Sequence, residues 1–110
     1  MSLRREEFGE EIAASEYVFQ FSDGAKQPVR LRVGKPYMIS ASEWACPVEL
    51  KGFEARYPDI RGNDSMQALS LALSLVWRRL EDFLQKGGKV LDGNAGSACT
   101  LEDLRTVLGR

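Results

Sequence analysis

A chain of 110 residues, 44% of them hydrophobic, is long enough to bury one core without disulfide or metal staples. Its net charge of −1 leaves no basic excess to neutralise phosphates, which argues against a dedicated nucleic-acid binder. There is no histidine, so Ser/His and Cys/His nucleophile pairs and His-containing zinc sites are impossible within one chain.

Residues 1–10 are charged and unpatterned and read as a loose arm, with Phe8 and Ile12 as its only anchors. The opening MSLRREEFGEEIAAS lacks the apolar core of a signal peptide, so a cytoplasmic protein is expected. Over residues 11–22, Tyr17, Phe19 and Phe21 alternate with Val18 and Gln20, the pattern of a strand with an aromatic side on the core. Asp23-Gly24 turns the chain, and Val29, Leu31 and Val33 then alternate with Arg30 and Arg32, giving a second strand and a hairpin. Gly34-Lys35-Pro36 ends it, and residues 37–42 read as a connection. Trp44, Cys46, Val48 and Leu50 alternate with Glu43, Ala45, Pro47 and Glu49. After a Lys51-Gly52 turn, Phe53, Ala55 and Tyr57 alternate with Glu54 and Arg56, so a second hairpin is expected. Pro47, without an amide hydrogen, is expected to point outward at an edge or bulge.

Residues 64–86 carry the one long helical period. Met66, Leu69, Leu73, Val76, Trp77, Leu80, Phe83 and Leu84 fall on one face, read as the core face. Asp64 is the expected N-cap, with Gln67 reaching back, and Gly87-Gly88 the expected stop after Lys86. Ala68, Leu71 and Leu75 form a second apolar stripe, expected roughly opposite the first and therefore covered by the C-terminal segment, a partner protein or a second copy. The helix's apolar run is broken by serines and followed by Arg78 and Arg79, so no membrane span is expected. Residues 89–98 read as irregular, with Val90 and Leu91 able to form a short edge strand. Thr100 with Asp103 caps a short helix whose Leu101, Leu104, Val107 and Leu108 make a cover for Leu71 and Leu75. The expected fold is α+β and one domain over 1–110: a four-stranded antiparallel meander (11–58), one long helix (64–86) and a short C-terminal helix (100–108).

Trp44-x-Cys46-Pro47, Gly52 and Gly62-x-Asp64-Ser65-x-Gln67-Ala68-Leu69-x-Leu71-Ala72-Leu73 together resemble a family of small bacterial domains of unknown function. Asp23-Gly24 and Gly34-x-Pro36 fit the same pattern, so the resemblance spans residues 12–91. It implies a meander-plus-helix fold and brings no catalytic residues to carry over.

The chemistry-bearing residues read mostly as structure. Cys46 lies on the inward side of a strand beside Trp44, where an apolar surround keeps a thiol protonated and inert. Arg30, Arg32, Arg56 and Arg61 are the candidate anion patch on the outer sheet face, set against Glu43, Glu49 and Glu54 on the same face as cross-strand partners. Asp59, Asp64, Glu81, Asp82, Glu102 and Asp103 are the carboxylates available for pairing. No catalytic, cofactor-binding or metal-ligating set is expected. The function expected is a binding or regulatory module acting through protein–protein contacts, immunity-type in character, with Ala68, Leu71 and Leu75 as the candidate interface. The alternative is a small-ligand protein or enzyme using arginine and carboxylate groups on the open sheet face.

Overall fold

Alternation in the first half of the chain does produce antiparallel strands, but several of their partners are not their neighbours in sequence. In a computed structural model, which describes residues 7–94 and 96–110, β1 (Glu11–Gln20) and β2 (Lys26–Gly34) form the expected hairpin. Four short strands follow: β3 (Tyr37–Ser40), β4 (Glu43–Cys46), β5 (Val48–Lys51) and β6 (Ile60–Gly62). Then come α1 (Ser65–Gln85), β7 (Lys89–Asp92) and α2 (Leu101–Leu108). The class is α+β, with antiparallel sheets, one long helix and a short C-terminal one. The four-stranded sheet has the order β5-β2-β1-β7, and a three-stranded sheet has the order β3-β4-β6.

This assembly departs from a chain-order meander at Pro47. The strand expected over residues 43–50 is divided there: β5 pairs with β2 in the larger sheet, and β4 pairs with β3 and β6 in the smaller one. Pro47 is itself buried, not outward, because the bend that its missing amide permits turns it against Gly34. Residues 53–57 form no strand. Phe53 packs on Phe19 and Phe83 with ring centroids 4.9 and 5.3 Å away, and Tyr57 Oη donates to Glu54 Oε1 at 3.0 Å, so side-chain anchoring replaces a ladder.

Both helix caps form as their residues dictate. Asp64 Oδ1 accepts from Gln67 N at 2.8 Å, and the Gln67 side chain reaches one residue further back, accepting from Asn63 N at 2.6 Å. Gly87, at φ +90, stops α1 in the left-handed conformation. Thr100 and Asp103 make a reciprocal capping box for α2.

The buried line of α1 runs through Ala68, Ala72, Val76, Leu80 and Phe83. The core face is therefore rotated toward the small residues: Met66 is 73% exposed, while Leu69, Leu73, Trp77 and Leu84 are half-buried flanks. Close approach explains the rotation. A Cβ on Gly62 would stand 2.4 Å from the Ala68 amide nitrogen, so β6 touches the helix backbone where both residues are small. The first six residues of the expected arm lie outside the described residues. Of its two anchors Phe8 is buried, whereas Ile12 is exposed. No helix among the described residues is long and apolar enough to cross a membrane.

Candidate functional site

The four arginines of the candidate anion patch are each taken up by a carboxylate. Arg30 bridges Glu11 and Glu16, and these partners hold its guanidinium proton more firmly than usual while lowering the Glu11 carboxyl. Arg32 pairs with Glu11 at 3.2 Å and its cross-strand neighbour Glu49 at 3.3 Å, with its guanidinium 3.8 Å from the Phe8 ring centroid. Arg56 pairs with the buried Asp59 at 2.9 Å, and Arg61 with Glu43 at 3.4 Å. Glu54 leaves the sheet face altogether and binds Arg79 of α1 at 2.8 Å. Only Arg30 and Arg32 share a sheet face, a mixed and internally compensated one; Arg56 lies in the loop after β5 and Arg61 on β6 of the smaller sheet.

Nor do the residues of the apolar stripe stand together. Ala68 is fully buried, Leu75 is half-buried against the core, and Leu71 alone is exposed, at 43%. The short helix does not cover them. Instead α2 lies on the opposite flank of α1, where Leu108 and Arg110 meet Leu69, Ser70 and Leu73, and Arg110 donates to the Ser70 carbonyl. Cys46 is buried as expected. Its Sγ donates weakly to the Gly34 carbonyl at 3.5 Å, and burial, helped by the charge of Asp59, pushes the thiol up to about 12. It is a core residue.

A further feature, which no sequence motif marks, lies between β1 and α2. β1 has ten residues and β7 four, so β7 pairs only with Tyr17 to Gln20. The Gly93 amide donates to the Glu16 carbonyl at 3.0 Å, and beyond it no strand among the described residues follows β1 on this side. Because backbone groups alternate in direction along an antiparallel strand, Ala14, two residues before Glu16, presents its amide and carbonyl to this open side. Ala13 and Ser15 face β2 instead.

α2 runs along the opening, anchored by the buried Leu104 and Leu108, with Val107 left 55% exposed. A cleft of about 490 Å³ lies between Ala14 to Tyr17 of β1, the loop after β7 and α2. A second, apolar cleft of about 120 Å³ adjoins it, walled by Leu31, Val33, Leu73 and Val107. Ala14, Ser15 and Val107 line both. The two make one groove.

The larger cleft is acidic: Glu16, Asp92 and Asp103 line it, and no Lys or Arg is among its described lining residues. Each carboxylate has a local partner. Glu16 holds Arg30, Asp92 Oδ1 accepts from Asn94 N at 2.8 Å, and Asp103 Oδ2 accepts from Thr100 N at 2.9 Å, which lowers the Asp103 carboxyl. Burial raises the Cys99 thiol, and the charges of Asp92 and Asp103 raise it further. Tyr17 is raised chiefly by burial, against a lowering hydrogen bond with Ser15. The cleft's thiol and phenol therefore stay protonated at neutral pH, which suits binding better than nucleophilic chemistry. The signals for this groove in the sequence are weak ones: the run Ala13-Ala14-Ser15 of small residues, and a strand that outruns its partner.

No curated protein and no solved structure matches the chain. One family model does, described as a domain of unknown function (DUF6968), over residues 15–94, a span that holds β2 to β7, α1 and the C-terminal part of β1 but not α2. By that match the chain belongs to the DUF6968 family of domains of unknown function.

Proposed function

We propose that the chain is a binding module that acts through protein–protein contacts, the mode of a small regulatory or immunity-type protein that works by covering its partner. The observation that carries this is the half of β1 beside α2 that no strand among the described residues pairs, with a cleft along it whose thiol and phenol are unactivated. The alternative, a small-ligand protein or enzyme on the open sheet face, draws less support, since Arg30, Arg32, Arg56 and Arg61 are each compensated by carboxylates. Two free cysteines agree with a reducing cytoplasm. The motif Trp44-x-Cys46-Pro47 with Gly62-x-Asp64-Ser65 supports a bacterial source. Affinity purification of the full chain from its host cells tests the function. A protein recovered at stoichiometric yield is expected; recovery of none, with the melting temperature raised by a small-molecule panel instead, overturns the reading.

A further inference from the structure

We propose that the open half of β1 is a docking edge for an extended segment of a partner protein, which adds antiparallel to β1 in line with β7 and carries a Lys or Arg two residues before an aliphatic residue. This rests on the binding-module reading above and adds the partner's chemistry to it.

The backbone sets the direction. β7 runs antiparallel to β1, with Lys89 opposite Gln20 and Asp92 opposite Tyr17. A segment that continues this line beyond Gly93 runs the same way. It meets the Glu16 end of the opening first and the Ala13 end last, bonding the outward amide and carbonyl of Ala14. Ala13, Ala14 and Ser15 carry no charge, no proline and no bulk, devices by which an edge strand is often blocked, and the open stretch ends at the register shift between Glu11 and Ala13.

Side chains set the selectivity. Tyr17 is buried toward the helix layer, so Ser15 and Ala13, at the two-residue period, line the groove on the same face. Alternate side chains of an added strand point into that layer about 7 Å apart. The first enters the cleft beside Asp92 and Asp103, whose charge favours a cation, while Glu16, out of phase with Tyr17, turns to the outer face with Arg30. The next enters the apolar cleft of Leu31, Val33, Leu73 and Val107, whose volume of about 120 Å³ equals roughly four waters and suits one aliphatic side chain. A second copy is the poorer occupant, because pairing β1 with its own equivalent sets one acidic cleft beside another.

The test is selection of a random octapeptide phage library on the full chain, followed by fluorescence anisotropy with the enriched peptides made synthetically and fluorescein-labelled. Enriched peptides are expected to share a Lys or Arg two residues before an aliphatic. Their affinity should fall at least about tenfold in Ala14→Pro, whose lost amide hydrogen faces away from β2. Val107→Glu, on an exposed position of the groove wall, should lose as much and serves if Ala14→Pro fails to fold. Asp92→Asn should weaken binding and flatten its salt dependence. Enriched peptides without this spacing, or with affinity unchanged in Ala14→Pro and Val107→Glu, overturn the proposal. So does a full-length dimer in light scattering that Ala14→Pro disperses, since the edge then belongs to a second copy. A co-purifying protein whose binding survives both variants overturns this docking mode and leaves the binding-module reading standing. Recovery of neither protein nor peptide fails that reading itself.

Discussion

Cys46 and Cys99 differ in their surroundings more than in their chemistry. Cys46 is sealed among Gly34, Pro47 and the core, while Cys99 sits half-buried at the wall of the acidic cleft. Both thiols are raised, so both label more slowly than a free cysteine, but only Cys46 also lacks access. Native protein treated with a thiol reagent near pH 8 should modify Cys99 first and Cys46 only after denaturant is added. Equal labelling of the two in native protein would contradict the buried position of β4. Asp103 gives a pH dependence whose sign follows from its cap. Its folded pKa lies below the ordinary aspartate value of about 4 because Thr100 donates to the ionised form. The cap therefore stabilises α2 above that ordinary value and is lost as pH falls through the depressed folded one. Amide exchange in α2 should rise on acidification, and Asp103→Asn should flatten the change. An α2 equally protected from neutral to strongly acid pH would show that the carboxylate does not hold the cap.

Among the elements, what could be read from the sequence is local, and what could not is a matter of distance along the chain. Caps and glycine stops act within four residues, so α1 and α2 are legible nearly to their ends. The sheet order is not, because β5-β2-β1-β7 joins segments whose alternation says nothing about which neighbour they choose. β6, three residues long, carries too short a pattern to be seen. The core face of α1 is rotated from the expected one, keeping Val76, Leu80 and Phe83, for a different reason. Weight given to large side chains draws the expected core toward Met66 and Trp77, whereas β6 approaches the helix backbone at Ala68, where small size is the requirement, and Ala72 is buried one turn on. Gly62→Ala tests this contact. Its added carbon would lie 2.4 Å from the Ala68 nitrogen, and because that neighbour is backbone it cannot swing aside. Overpacking of this kind costs roughly 1–3 kcal/mol, so urea unfolding should show a clear loss of stability with an unchanged m-value. A neutral Gly62→Ala would mean that β6 and α1 stand further apart.

At the scale of the whole molecule, α2 is both a piece of the core and a wall of the groove. Leu104 and Leu108 are buried, and around them lie the clefts against β1, the core and the Leu69–Leu73 flank of α1. The candidate site was poorly legible for that reason: it is formed where residues 13–17 meet residues 103–108, and neither stretch carries a motif. Removing residues 100–110 would take away two buried leucines and bare the surface they cover, a loss of roughly 3–6 kcal/mol at about 1.5–3 kcal/mol for each leucine. A domain of this size is stable by only about 5–15 kcal/mol, so the truncated chain should melt far earlier than the full one. It should also expose Leu73 with Leu31 and Val33 behind it, an apolar surface continuous with the open edge of β1, and self-associate in light scattering where the full chain does not. Leu104→Ala, which leaves the backbone of α2 in place, should lose about 2–5 kcal/mol with less association, separating the loss of packing from the uncovering of the edge. A truncated chain that stays monomeric with an unchanged melting temperature would mean that α2 does not pack on the core as described, and the groove would lose its second wall.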